Sequence, residues 1–151
     1  MKGREALYSA FFTQLSTALQ SAGVVTVSRR LKHWADVPAA QQPAVFQCQA
    51  DEEPHEQRGQ PTRWYLNLKL WVYVNVGSDQ NAVPATFLNP ILDAIEAAFP
   101  QSPASGYQSI GGLIWEQGGK AFNICFEGTE TFEGVLGPQE VAVVRVKITA
   151  L

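Results

Sequence analysis

Cysteine and histidine are scarce in this 151-residue chain, with only two of each. Cys48 and Cys125 lie far apart in strand-like segments, whereas a small secreted domain stapled by disulfides carries more. Both therefore read as thiols in a reducing cytosol. His33 and His55 have no second histidine or cysteine at metal-ligand spacing, so no metal site is expected. Nucleotide and nucleophile motifs are missing too. The glycine pairs Gly111-Gly112 and Gly118-Gly119 lack the GK[ST] ending and following helix of a phosphate loop. The strained serine elbow of the hydrolases is absent. No catalytic residue and no cofactor is assigned.

Cationic excess is also lacking. Eleven Lys and Arg stand against 14 Asp and Glu, a net charge of −3. That removes the electrostatic footprint of a protein that grips nucleic acid or an anionic membrane. No apolar run is long enough to span a bilayer. The first residues, 1–12, lack the continuous apolar centre of a signal peptide and read as the start of an amphipathic helix. Apolar residues nevertheless make up 46% of the chain and charged ones 17%, so it folds, and its length suits one domain over residues 1–151.

Helical spacing of Leu7, Phe11, Leu15, Leu19 and Ala22 predicts a helix over Gly3–Ala22, with Gly23 at its C-terminal end. Val24–Ser28 reads as a short strand. A basic cluster of Arg29, Arg30, Lys32 and His33 ends at Trp34, and Asp36–Pro43 reads as a loop before a second strand from Pro43. Asp51–Thr62 is polar and turn-rich, either a long hairpin loop or a mobile arm.

Arg63–Val76 is the clearest strand. One parity holds Trp64, Leu66, Leu68, Leu70, Val72, Val74 and Val76, which period two assigns to the core. The other holds Tyr65, Asn67, Lys69, Trp71, Tyr73 and Asn75 and belongs on the opposite sheet face. Pro84–Phe99 reads as a second helix, in which Pro90 either follows an N-cap at Asn89 or marks a bend after a first turn. A loop over Gln101–Gly112, a strand over Leu113–Gln117, a Gly118-Gly119 turn and a strand over Lys120–Glu127 follow. Gly128–Pro138 reads as a turn region, and Val141–Ile148 as the last strand. The fold class is α+β, a mainly antiparallel sheet with two amphipathic helices on one face.

Three groups of residues need an explanation beyond folding. Trp71 and Tyr73 stand on the sheet face away from the helices with Arg145 and Lys147. They are core under a loop or, the reading we favour, a subunit interface, because large aromatics concentrate at contact hot spots. Arg29, Arg30 and Lys32 either keep a strand end soluble or pair with acidic loops of a neighbouring subunit. Asp51, Glu52, Glu53 and Glu56 form one acidic set, and Glu127, Glu130 and Glu133 a second. Solvated loop charge is a simpler account of them than acid–base catalysis.

Five stretches in order, Val25–Pro38 (VTVSRRLKHWADVP), Trp64–Val74 (WYLNLKLWVYV), Leu88–Ala98 (LNPILDAIEAA), Gln108–Leu113 (QSIGGL) and Glu133–Gly137 (EGVLG), resemble the tail terminator (tail completion) proteins of long, non-contractile-tailed bacteriophages. The resemblance covers nearly the whole chain, and its specificity lies in the succession of phrases. It implies a non-enzymatic structural subunit of the virion, in tail or neck, assembled in the host cytoplasm. Six copies would form a ring that caps the tail tube, ends its polymerisation and provides the surface for head joining. The implied partners are further copies of the chain, the tail tube protein and a head–tail connector or neck protein, with no membrane. DNA would pass through without specific binding, and the two acidic sets become candidates to line the channel, where carboxylates repel phosphates. Other phage neck or tail structural proteins, a small enzyme with loop carboxylates, and a binding module are the alternatives.

Overall fold

In the computed structural model, which describes residues 3–100, 121–134 and 136–150 (for 121 and 122 the backbone alone), the elements are α1 (Arg4–Ser21), β1 (Thr26–Ser28), β2 (Ala44–His55), β3 (Arg63–Asn75), α2 (Pro84–Ala97), β4 (Ala121–Thr131) and β5 (Gln139–Ala150). The strands form one sheet in the order β1-β2-β3-β5-β4. All neighbours are antiparallel except β1 and β2. The α+β class expected from the sequence is the one observed. The loop, strand and turn expected within 101–120 lie outside the described residues.

Helix α1 buries Leu7, Tyr8, Phe11, Leu15 and Leu19, the helical stripe of the sequence with Tyr8 added and without Ala22, which follows the helix and is exposed. It stops where its carbonyls are taken up by the chain turning at Gly23: Gly23 donates to the Gln20 carbonyl and Val24 to that of Leu19. Gly23 has φ 88°, a left-handed conformation that favours glycine. Helix α2 runs unbroken from Pro84 with Pro90 inside it and no side-chain cap. Asn89 is therefore not its N-cap. Pro90 is exposed, where its missing N–H leaves a carbonyl that water can reach.

Both helices pack on one sheet face. Leu66, Leu68, Leu70, Val72 and Val74 of β3 meet Ala142, Val144, Val146 and Ile148 of β5, and the helix side chains close over them. Phe11 stacks on Phe99 with ring centroids 4.4 Å apart and planes inclined by 11°. That contact ties α1 to the end of α2, and Gln14 reinforces it by donating from Nε2 to the Ala98 carbonyl at 2.8 Å.

Several expected boundaries change. The segment 51–62 begins as strand: β2 continues to His55, with a register irregularity between Gln49 and Glu52, and 56–62 connects it to β3. The aromatic and aliphatic alternation of β3 provides a ladder long enough to hold the polar end of β2 in the sheet. Likewise β4 continues through Gly128 to Thr131, which the sequence marks as turn; a bulge between Phe126 and Gly128 accommodates the glycine.

The other sheet face carries a smaller core of Val37, Ala44, Phe46, Tyr73 and Val141, flanked by Trp34, Trp71, Phe132 and Leu136. The segment 29–43 crosses from β1 to β2 and lies over this patch. It is fastened by a pair of buried amides. Gln42 donates to Gln139 Oε1 at 2.8 Å, Gln139 donates back to Gln42 Oε1 at 2.9 Å, and each also reaches a main-chain carbonyl.

The Phe11–Phe99 stack lies at the junction of both helices, and Phe11 is fully buried. Phe11→Ala should therefore cost about 3–5 kcal/mol. A denaturant titration measures this, and a loss below about 1 kcal/mol would show that the helices are held elsewhere.

Candidate functional site

The second sheet face divides into a covered and an open half. Tyr73 belongs to the covered half. It is 3% exposed within the single chain, packs against Phe46, and donates its hydroxyl to the Lys32 carbonyl at 2.7 Å. For Tyr73 the core-under-a-loop alternative is the one observed, since the 29–43 crossover already covers it. Trp71, one pleat further along, is half-buried at the margin.

Beyond Trp71 the face is polar. Lys69, Trp71, Glu130, Phe132, Val143 and Arg145 line a cavity of about 150 Å³. Arg145 is exposed and Lys147 half-buried. Lys147 pairs with Glu127 at 2.6 Å across β4 and β5, and its ammonium stands 5.4 Å from the centre of the Tyr65 ring. The bond to Glu127 raises its pKa.

The basic cluster is not uniform. Arg29 is engaged within the chain, donating to both carboxylate oxygens of Glu5 and to Ser9 Oγ. These contacts hold the Glu5 carboxyl down at about 2, the hydrogen bond from Arg29 contributing most. Arg30 and Lys32 are exposed. Among the described residues neither forms an ion pair.

The acidic sets divide in the same way. Asp51 accepts from Asn67 Nδ2 at 3.0 Å. Glu52 faces the helices, accepts from the Tyr8 hydroxyl at 2.8 Å, and lies 2.6 Å from Arg4 Nε, an ion pair without hydrogen-bond geometry. Arg4 in turn stands over the Trp64 ring at 5.6 Å. Burial, and then the bond to Glu52, push the Tyr8 hydroxyl pKa well up. Glu52 thus ties α1 to the β2–β3 hairpin. Glu53, Glu56, Glu130 and Glu133 are exposed, and no ion pair engages them within the described residues.

Neither histidine approaches a metal-ligand set. His33 Nδ1 accepts from the Ala35 amide and starts a single 3-10 turn, and His55 lies against Tyr65. No group of three or more potential ligands occurs among the described residues.

One carboxyl escaped the sequence reading. Glu140 is 1% exposed, and among the described residues neither side-chain oxygen has a hydrogen-bond partner of good geometry. Burial raises its pKa, the Glu133 charge adds to this, and the nearby Gly134 amide opposes it. The sequence places the last strand from Val141, whereas β5 starts at Gln139, and pairing with Val74 sets Glu140 on the core parity.

No protein-family model matches the sequence, and no curated protein is significantly similar to it. The fold does have solved counterparts. A chain of the virion of a native gene transfer agent particle superposes with a TM-score of 0.56 at 10% identity, covering 95% of this chain and 93% of that one. A second solved chain superposes with a TM-score of 0.55 at 11% identity, covering 100% and 97%. These likenesses establish a shared fold.

The raised pKa of Glu140 has a definite sign. A carboxyl whose folded pKa exceeds its unfolded value favours the folded state below the unfolded pKa, and this is lost as pH rises through the folded pKa. Glu140→Gln should therefore raise the melting temperature at pH 7, with the gain shrinking as pH falls through the carboxyl range. Melting curves from pH 3 to 8 check it, and a gain independent of pH would contradict it.

Proposed function

We propose that the chain is a structural subunit of a phage-type virion, and specifically a tail terminator: a ring, six copies by resemblance, that caps the tail tube, ends its growth and offers the surface for head joining. The observation that carries this reading is the fold match, over 95% of this chain, with a virion chain. The ordered phrases that resemble tail terminators support the finer role. Another neck or tail structural subunit is the second reading, favoured by the same fold match.

The surfaces supply the physical means. Closing a ring needs a head-to-tail contact between two different patches of the chain. The open face with Trp71, Arg145 and Lys147, together with exposed Arg30 and Lys32, provides cationic and aromatic material for one patch. Arg29 acts first within the chain, and Tyr73 acts through the crossover it anchors. The carboxylates Glu53, Glu56, Glu130 and Glu133 are exposed and form no ion pair among the described residues, which suits them to a partner or to the channel. Asp51, Glu52 and Glu127 can join a channel wall only while keeping their bonds to Asn67, Tyr8 and Lys147. At least one of the two acidic sets would face the opening, so that passing duplex DNA is repelled.

A terminator differs from a tube subunit in function, because the tube end it covers no longer recruits tube protein. Particle assembly with the chain omitted should therefore give tails of irregular, excess length and heads that stay unjoined. Normal tail lengths with joined heads would remove the terminator reading. Trp71→Ala should weaken self-association by about tenfold while shifting the melting temperature little, since the ring is half-exposed in the single chain. Sedimentation across a concentration series measures it, and an unchanged association constant would take Trp71 out of the interface.

A further inference from the structure

The helix layer ends in uncompensated negative charge. From 70 to 119 the sequence has no lysine, arginine or histidine. Asp93 and Glu96 stand exposed near the C-terminal end of α2, whose last turn carries no basic residue. A helix C-terminus bears a partial negative charge that favours cations, so two carboxylates there work against an isolated chain. Among the described residues neither forms an ion pair. Beside them an open groove of about 540 Å³ runs between α1 and the end of α2. Its walls hold no charged side chain and are built largely from small ones, among them Ala10, Thr17 and Ala18 of α1 and Ala97 of α2. Asp93 precedes Ala97 by four residues and so shares its helix face.

We propose that this groove receives Leu31 of a second copy of the chain, whose Arg30 and Lys32 pair with Asp93 and Glu96. The inference rests on the self-assembly reading and names the two halves of its contact. Leu31 is 43% exposed, and its neighbours Arg30 and Lys32 are exposed cations without ion pairs among the described residues. The segment is fastened on both sides of Leu31. The Arg30 amide donates to Ser28 Oγ at 3.0 Å, and the Lys32 carbonyl accepts from the Tyr73 hydroxyl at 2.7 Å. A segment already ordered loses less entropy on binding. From 22 to 35 the sequence has no carboxylate, and with Asp36 counted the segment 29–43 stays cationic even after Glu5 neutralises Arg29. Other exposed carboxylates suit it less: Glu56 lies two residues from Arg58, and Glu130 shares a cavity with Lys69 and Arg145. Two residues of chain span at most about 7 Å, and an i, i+3 helix pair about 5–6 Å, so both ion pairs form together. The Tyr73 bond holds Lys32 over the second sheet face, whereas the groove lies in the helix layer on the first. The two patches are different, so the contact is head-to-tail and can close a ring.

Charge reversal and charge exchange test it, with oligomer mass across concentration and salt as the readout. Arg30→Glu with Lys32→Glu should raise the association midpoint by at least about tenfold, and so should Asp93→Lys with Glu96→Lys. The second pair places cations at a helix C-terminus, so its melting temperature should hold or rise while assembly weakens. That combination separates a lost contact from a lost fold. All four substitutions together should bring the midpoint back to within about threefold of the original. Leu31→Ser should weaken association at high salt as well, where the ion pairs are screened. If the original protein assembles and neither the reversals nor Leu31→Ser weaken it, the docking proposal falls and self-assembly stands. Two weakening reversals with no recovery in the combined variant would overturn the pairing of these two patches. A protein that stays monomeric at every concentration would overturn the self-assembly reading itself.

Discussion

The structure depends on the two-sided burial of β3. Its thirteen residues sit between β2 and β5, so its backbone is paired on both edges. One parity is wholly aliphatic where it meets the helices. The other changes along its length, from Tyr73 and Trp71 to Lys69, Asn67 and Tyr65. This graded face splits the second side of the sheet into a small core and an open polar surface. The 29–43 crossover covers the aromatic end because Phe46, Ala44 and Val141 offer it a continuous apolar patch there. It stops where the strand turns cationic.

Electrostatics follow from that division. Several charged side chains are engaged in holding elements together: Arg29 with Glu5 joins β1 to α1, Glu52 joins α1 to the hairpin, and Lys147 with Glu127 joins β5 to β4. Other exposed charges, among them Arg30, Lys32, Lys69, Arg145, Glu53, Glu56, Glu130 and Glu133, form no ion pair among the described residues and are spread over the hairpin, the crossover and the open sheet face.

Much of the architecture was legible in the residues. The stripe of α1 from Leu7 to Leu19 and the parity of β3 from Leu66 to Val74 are buried under the helices, and both elements form where those patterns place them. The strand extensions were not legible, because Asp51–His55 and Gly128–Thr131 have poor strand propensity and are held by the long ladders beside them. The Gln42–Gln139 amide pair spans 97 positions and leaves no local trace. Tyr73 shows the limit for sites. Its parity was clear, but a loop seldom announces which strand face it will cover.

The central claim is that this fold closes on copies of itself into a ring. Native mass measurement of the purified chain, with imaging of the same sample, addresses it most directly. The account predicts one discrete closed oligomer, six times the chain mass, seen as rings with an open centre. A monomer at all concentrations, or open filaments of indefinite length, would contradict it.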